Sequence, residues 1–322
     1  MSTPSMRPWL RDPGAATGED GELAAARAAL AAKIAAHAPG TGAHASAIPG
    51  LWLYRRTAPS ACHCGVYEPS LNVFVQGRKR VTLGGVVYLC DGRHFLLTAL
   101  QVPITSQILA ASESVPLLSL LLQLDLAVVR EMLAREKLAA PPAAPRVPGI
   151  ALGRNSPGLL NACSRLLDLL DAPGDISFLG PLIQREILYR LIQGPQGQRL
   201  RAIATAGDPS HRAAHAAAWL RAHYTQPLRV DQLAAVAGMG ASTLHHHFRA
   251  LTAMSPLQYQ KRLRLQAARD RMLQDGLDAA SAAFAVGYES ASQFNREYRR
   301  AFGQPPRRDI QALRAAHANA AG

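Results

Sequence analysis

The sequence predicts an α+β chain in two parts: an N-terminal small β-barrel with appended helices, and a C-terminal all-α domain of two helix-turn-helix units joined by a linker helix. Three observations predict it. Short strand-like runs separated by Gly-containing turns fill residues 50 to 124. One sequence pattern occurs twice, at an offset of close to 50 residues, between Val230 and Pro306. The excess of positive charge gathers in the same C-terminal third, where residues 211–322 carry 15 Lys or Arg against 7 acids.

Before these elements, residues 1–20 hold Pro4, Pro8 and Pro13 with no periodicity and read as a disordered leader. Glu22 to His37 is alanine-rich, with Leu23, Leu30 and Ile34 at helical spacing. The expected strands are Leu51–Tyr54, Leu71–Val75, Arg80–Leu83, Val86–Leu89, His94–Leu97 and Leu117–Leu124, with Gly84-Gly85 joining two of them as a hairpin. Asp125 reads as the N-cap of a helix to about Glu136, and the prolines from Pro141 to Pro148 break the chain. Ser156-Pro157 opens a helix through Leu170, and Gly180-Pro181 opens another over Leu182–Gln193. Together 21–193 reads as one domain, 194–211 as a linker, 212–314 as the all-α domain and 315–322 as a tail.

The repeated pattern is a helix-turn-helix in each copy. Leu233-Ala-Ala-Val-Ala-Gly238 and Ala282-Ala-Phe-Ala-Val-Gly287 are short apolar helices ending at a glycine that accepts the positive φ of a helix stop. A second helix follows beside Ser242 or Ser290, hydroxyls suited to capping. Leu244 and Phe248 sit four apart in the first copy, as do Phe294 and Tyr298 in the second, so each second helix turns one stripe to its own core. The other face carries Ser242, Thr243, His245, His246 and Arg249 in the first copy, and Ser292, Gln293, Asn295, Arg296, Arg299 and Arg300 in the second. Arg, Asn, Gln, Ser and Thr are the side chains that major-groove base edges accept. Between the copies, Leu257 to Asp275 reads as one helix of roughly 27 Å, a length that sets two such helices about one DNA turn apart.

These residues resemble the DNA-binding domain of the AraC/XylS family of bacterial transcription regulators. The likeness runs through Gly238 to Phe248, Ser255-Pro-Leu-Gln-Tyr259, Arg264-Leu-Gln-Ala-Ala268, Ala282 to Ser290 and Phe294 to Pro306, about 100 residues in all. It implies that the 241–251 and 291–301 helices enter successive major grooves, with base contacts from His245, His246, Arg249, Ser292, Asn295 and Arg296. One departure is Ala241-Ser242-Thr243, where many members carry larger residues. Val66-Tyr-Glu-Pro-Ser70, Val75 to Val81 and Arg185 to Arg190 resemble the N-terminal domain of one subgroup, a cupin-like barrel followed by helices. That likeness implies a sensory and dimerising role for a small-molecule effector it does not name, and activation through RNA polymerase.

A net charge of +13 points independently to an anionic partner. No apolar run reaches the ~18 residues of a membrane span, and Met1 to Arg11 lacks the apolar stretch of a signal peptide, so a cytoplasmic address is expected. No cofactor motif, catalytic triad or paired carboxylate stands out, and the chain reads as a regulator rather than an enzyme. Cys62-His63-Cys64 is the one group that invites other chemistry. It reads as a candidate sensor of an electrophile, as part of a metal site needing further ligands, or as incidental cysteines. A cupin-type metal-dependent enzyme with a fused helical domain is the competing function class. His245-His246-His247 is not a metal tract, because consecutive helical side chains diverge by about 100°.

Overall fold

A computed structural model describes residues 18–135 and 148–321. The expected leader lies almost wholly outside the described residues, as do Pro141 to Pro145 of the expected break. Helix α1 (Gly18–His37) begins earlier than its periodicity implied and buries Ala26, Leu30 and Ile34 along one face. The strands β1 (Gly42–Ala45), β2 (Leu51–Arg56), β3 (His63–Tyr67), β4 (Ser70–Gln76), β5 (Arg78–Leu83), β6 (Val86–Asp91), β7 (His94–Thr98), β8 (Val102–Ala110) and β9 (Leu117–Gln123) follow. Helix α2 (Leu126–Arg135) is capped as expected by Asp125, whose carboxylate accepts from the Ala127 amide at 2.7 Å. Strand β10 (Ile150–Arg154) completes the β part.

These strands do not close a barrel. They form a six-stranded sheet, β1-β2-β9-β4-β7-β10, and a four-stranded sheet, β3-β8-β5-β6, with the four end strands left as edges. The physical reason is visible beside β10: there the Tyr88 hydroxyl of β6 donates to the Ile150 carbonyl at 3.4 Å, so a side chain bridges the sheets where a barrel would have a backbone ladder. Helix α1 covers one face of the larger sheet, and the smaller sheet faces the other. The hairpin at Gly84-Gly85 forms as expected, both residues at positive φ (53° and 93°) between paired Leu83 and Val86.

Helix α3 (Pro157–Asp168) packs against α1, and α4 (Ile176–Gln193) packs against α3. Ser156 caps α3, accepting from the Leu159 amide. Helix α4 starts six residues before the expected Leu182 and carries Pro181 inside it. A proline there forfeits only the single bond to the Ser177 carbonyl in the first turns, so it does not set the boundary. The segment expected as a linker holds α5 (Gly197–Ala204), whose Leu200, Ile203 and Ala204 are buried, and the start of α6 (Pro209–Ala222).

The remainder is α7 (Val230–Ala237), α8 (Ala241–Thr252), α9 (Pro256–Gln274), α10 (Ala279–Ala285), α11 (Ala291–Phe302) and α12 (Pro306–Ala321). Leu244, Phe248 and Tyr259 belong to a core continuous with that of the β part, whereas Ala282, Phe294, Tyr298 and Ile310 form a second, separate core around the end of α9. Among the described residues no helix is long and apolar enough to cross a membrane.

Candidate nucleic-acid interface

Both helix-turn-helix units take the geometry their glycines demand. Gly238 ends α7 at φ 60°, and Gly287 follows α10 at φ 91°, where a Cβ would stand 2.1 Å from the Thr225 carbonyl. Ser290 caps α11 by accepting from the Gln293 amide at 3.3 Å. The first copy departs from this: Gly240 is the N-cap of α8 and makes no side-chain cap, so the Ser242 hydroxyl lies one residue inside the helix and exposed.

Leu244, Phe248, Phe294 and Tyr298 are fully buried, which rotates the opposite faces of α8 and α11 to solvent. All eleven candidate contact residues are exposed. At about 100° per residue they do not share one face. Ser242, His245, His246 and Arg249 converge, lining a concave patch of about 570 Å³. Ser292, Asn295, Arg296 and Arg299 occupy the equivalent positions fifty residues on. Thr243 and Gln293 lie to one side. Gln293 donates to the Glu297 carboxylate at 3.3 Å, which also accepts from Lys261 at 2.9 Å and from the Tyr288 hydroxyl at 2.9 Å. Partial burial pushes the Glu297 pKa up, but these three donors outweigh it and hold the group below the ordinary carboxylate range. Arg300 lies farther round still, in a cleft between the two parts of the molecule.

Helix α9 sets the spacing. Its 19 residues span about 28 Å, and its start is a complete capping box in which Ser255 and Gln258 exchange side-chain to backbone bonds. Arg264 grips both units from the helix middle, donating to the carbonyls of Tyr224 (2.6 Å), Thr225 (3.1 Å), Gln226 (2.8 Å) and Gly287 (2.8 Å). Arg269 forms a buried bidentate pair with Asp309 (2.7 and 2.8 Å), which also accepts from the Tyr298 hydroxyl at 2.6 Å. Sequence reasoning missed these positioning residues: the basic run Lys261-Arg262-Leu-Arg264 signals Arg264, whereas the Arg269–Asp309 pair joins positions 40 residues apart.

The β part docks on the ends of both exposed helices. The Gly149 amide donates to Leu251 O of α8 at 2.7 Å, the Tyr259 hydroxyl donates to Gln101 O at 2.8 Å, and the Cys64 thiol contacts Ala301 O of α11 at 3.8 Å. Between these contacts is the cleft, about 520 Å³, lined by Cys64, Thr82 and Thr105 on one side and Lys261, Arg262 and Arg300 on the other. Burial pushes the Cys64 thiol up, against the pull of Arg262 and Arg269. Cys62 and His63 are exposed, and strand alternation turns His63 to the face opposite Cys64, so the three side chains do not converge. Among the described residues no three His, Cys, Asp or Glu side chains are placed to hold a metal ion.

Fold and interface define a class: a β-sheet domain with appended helices, carrying a paired helix-turn-helix module on a shared linker helix. Residues 47–199 match the AraC-type transcriptional regulator N-terminus and residues 233–312 match a helix-turn-helix domain, and the chain belongs to the AraC-type family of transcription regulators. It is 33% identical over 89 residues to the HTH-type transcriptional activator RhaS of Pectobacterium carotovorum, covering 28% of this chain and 32% of that protein. It is 26% identical over 153 residues to the HTH-type transcriptional regulator ArgR of Pseudomonas aeruginosa, covering 48% of this chain and 46% of that one. The chain thus spans half or less of the length of these curated relatives. Its fold is similar to ToxT from Vibrio cholerae, at a TM-score of 0.53 and 10% identity over 81% of this chain and 97% of that one.

Proposed function

We propose that the protein is a sequence-selective double-stranded DNA-binding transcription regulator, an activator, whose β-sheet domain senses a small molecule or reactive species. The observation that carries it is the recurrence of one exposed face at equivalent positions of α8 and α11: Ser242, His245, His246 and Arg249, then Ser292, Asn295, Arg296 and Arg299. A duplex lying across both helices would place one in each of two successive major grooves, with α9 setting the interval. Base discrimination would come chiefly from Arg296, Arg249 and Asn295, and Gln293, Thr243, Arg299 and Arg300 would add phosphate or flanking contacts. The surplus of Lys and Arg in residues 211–322 supports a large phosphate-neutralising component.

Regulation would act through the docked ends of α8 and α11. An effector that binds one docking arrangement better than another shifts the population of the DNA-competent arrangement by its differential affinity. Cys62, His63 and Cys64 offer a second input at the same joint, since Cys64 touches the last turn of α11. A homodimer and contact with RNA polymerase complete the proposed activator.

The test is a gel shift with the region upstream of the protein's own gene, titrated with salt, for the wild type and Arg296→Ala. Selective binding that weakens steeply with salt and relaxes at one base position in the variant is the expected result. Binding indifferent to sequence, or unchanged in the variant, would sink the reading.

A further inference from the structure

Of the eleven candidate contact residues, Gln293 is the one whose side chain has a hydrogen-bond partner among the described residues. It stands exposed in the first turn of α11, the part of a reading helix that reaches base edges. Ser290 accepts from its backbone amide at 3.3 Å, and Glu297, one turn on, accepts from its side-chain amide at 3.3 Å. Glu297 is itself held from two sides. Its Oε1 atom also accepts from Lys261 of α9 at 2.9 Å, and its Oε2 atom accepts from the Tyr288 hydroxyl at 2.9 Å. Tyr288 is buried and stands edge-on to fully buried Phe294, with ring centroids 5.3 Å apart, so its hydroxyl has a fixed place. With both oxygens engaged and a side chain only 13% exposed, Glu297 acts on a duplex through Gln293. Thr243 and His247 stand at the equivalent positions of the first unit, so this arrangement belongs to α11 alone.

The arrangement dictates what Gln293 offers. Partial burial opposes the charge on Glu297, but its three donors keep it ionised, and an ionised carboxylate accepts without donating. The amide must therefore turn its nitrogen, not its oxygen, to Glu297. One amide proton is used there, which leaves the other proton and the carbonyl oxygen. That pair is the complement of adenine, which presents the N7 acceptor and the N6 amino donor in the major groove. Guanine presents two acceptors, N7 and O6, and would set one of them against the amide oxygen. A phosphate offers acceptors only and would also meet the Glu297 charge.

We propose that Gln293 reads an adenine at the edge of the α11 half-site, and that Glu297 is a positioning residue holding the Gln293 amide in the orientation this needs. Both assignments rest on α11 being a DNA-contacting helix, and they narrow the flanking role of Gln293 to a single base. An amide fixed before binding escapes part of the ordering cost that a free glutamine carries, so the preference depends on Glu297 as well as on Gln293.

The experiment selects duplexes bound by the full chain from a random pool, sequences them, and then measures binding to the selected duplex and its single-base changes. The wild type is expected to enrich adenine at one position flanking the bases that depend on Arg296, with guanine there bound about tenfold more weakly. Gln293→Ala should remove the enrichment at that position alone. Glu297→Met keeps the bulk but accepts no hydrogen bond, and it should lower the adenine-to-guanine ratio about fivefold. Glu297→Gln keeps an acceptor oxygen for Gln293 and Lys261 and should retain most of the ratio. Lys261→Met loosens α11 from α9 yet leaves Glu297 on Tyr288, so it should weaken all sequences alike and keep the adenine. A merely structural Glu297 predicts that same uniform loss in Glu297→Met, with a lower unfolding temperature and the base ratio unmoved, and this result overturns the proposal. Any base other than adenine at the Gln293-dependent position overturns it too. A wild type that enriches no sequence refutes the regulator reading itself, whereas enrichment that depends on Arg296 but nowhere on Gln293 refutes only the adenine contact.

Discussion

Replacing Arg269 by Met removes one partner of a buried ion pair and leaves the other in place. Arg269 and Asp309 are 7% and 8% exposed, so neither gains much solvent when its partner goes. The lost interactions are two charge-assisted bonds to Asp309 and the stacking of the guanidinium over Phe302, 4.5 Å from the ring centroid. Asp309 would retain only the Tyr298 hydroxyl against the cost of burying its charge. Breaking such a pair costs about 3–5 kcal/mol, whereas replacing both members with apolar groups is close to neutral. Arg269→Met should therefore open α11 and α12 locally, raising amide exchange there by about 10²- to 10³-fold. Exchange in α8 should stay unchanged, because the first unit shares its core with the β part and the second does not. On DNA the footprint should contract from two major grooves to one. Arg269→Met combined with Asp309→Leu should restore most of the protection. If the double variant exchanges as fast as the single one, or if α8 opens together with α11, the assignment of two separately stabilised reading units is wrong.

Four further outcomes are expected. Competition binding should show Arg296→Ala losing about 1–3 kcal/mol with relaxed base choice, and Arg300→Ala, on the cleft side, losing less and without relaxation. Gly84→Val should spread the joint, since a Cβ at this positive-φ residue would lie 2.4 Å from the Ala253 carbonyl; faster iodoacetamide labelling of Cys64 in the folded variant is the readout. In the native wild type, Cys62 should label first and Cys90 and Cys163, both pushed up to about 12 by burial, only on unfolding; mass spectrometry of labelled peptides checks this. Partial burial raises the Asp91 pKa, but the Arg93 amide and His94 ring outweigh it and leave it depressed. Its stabilisation is thus present above the unfolded value near ~3.9 and lost as pH falls through the lower folded value, and Asp91→Asn should flatten that acid limb of the unfolding curve.

What the sequence discloses is what depends on short stretches of chain. Each helix-turn-helix is legible because a glycine stop, a small turn and a stripe of two large apolar residues four apart lie within twenty positions, and no distant contact is needed to specify them. Six of the ten strands among the described residues are legible for the same reason. Strand β8 escapes notice because Pro103 and the polar pair Ser106-Gln107 interrupt its apolar run, and it forms because β3 and β5 pair on both of its sides. The closed barrel fails as an expectation because strand runs specify ladders but not which edges meet.

Facing is the other quantity that single residues do not encode. Arg78-Lys79-Arg80 reads along the chain as three solvated charges beside a turn. Only pairing with Cys90 and Ile108 turns the middle one inward, and a one-residue slip of β5 would send it out and bring Arg78 and Arg80 in. Likewise Arg299 and Arg300 are indistinguishable by type, yet the burial of Phe294 and Tyr298 sends the first to the exposed reading face and the second to the cleft. The register that aims Lys79 between the sheets also directs Thr82 at the DNA-reading part, so one strand presents a charge to the interior and a contact to the joint. A change in the order or tilt of that strand would be felt through the Gly84 turn at Ala253, the C-cap of α8, while Ala301 at the end of α11 is reached from Cys64 on β3.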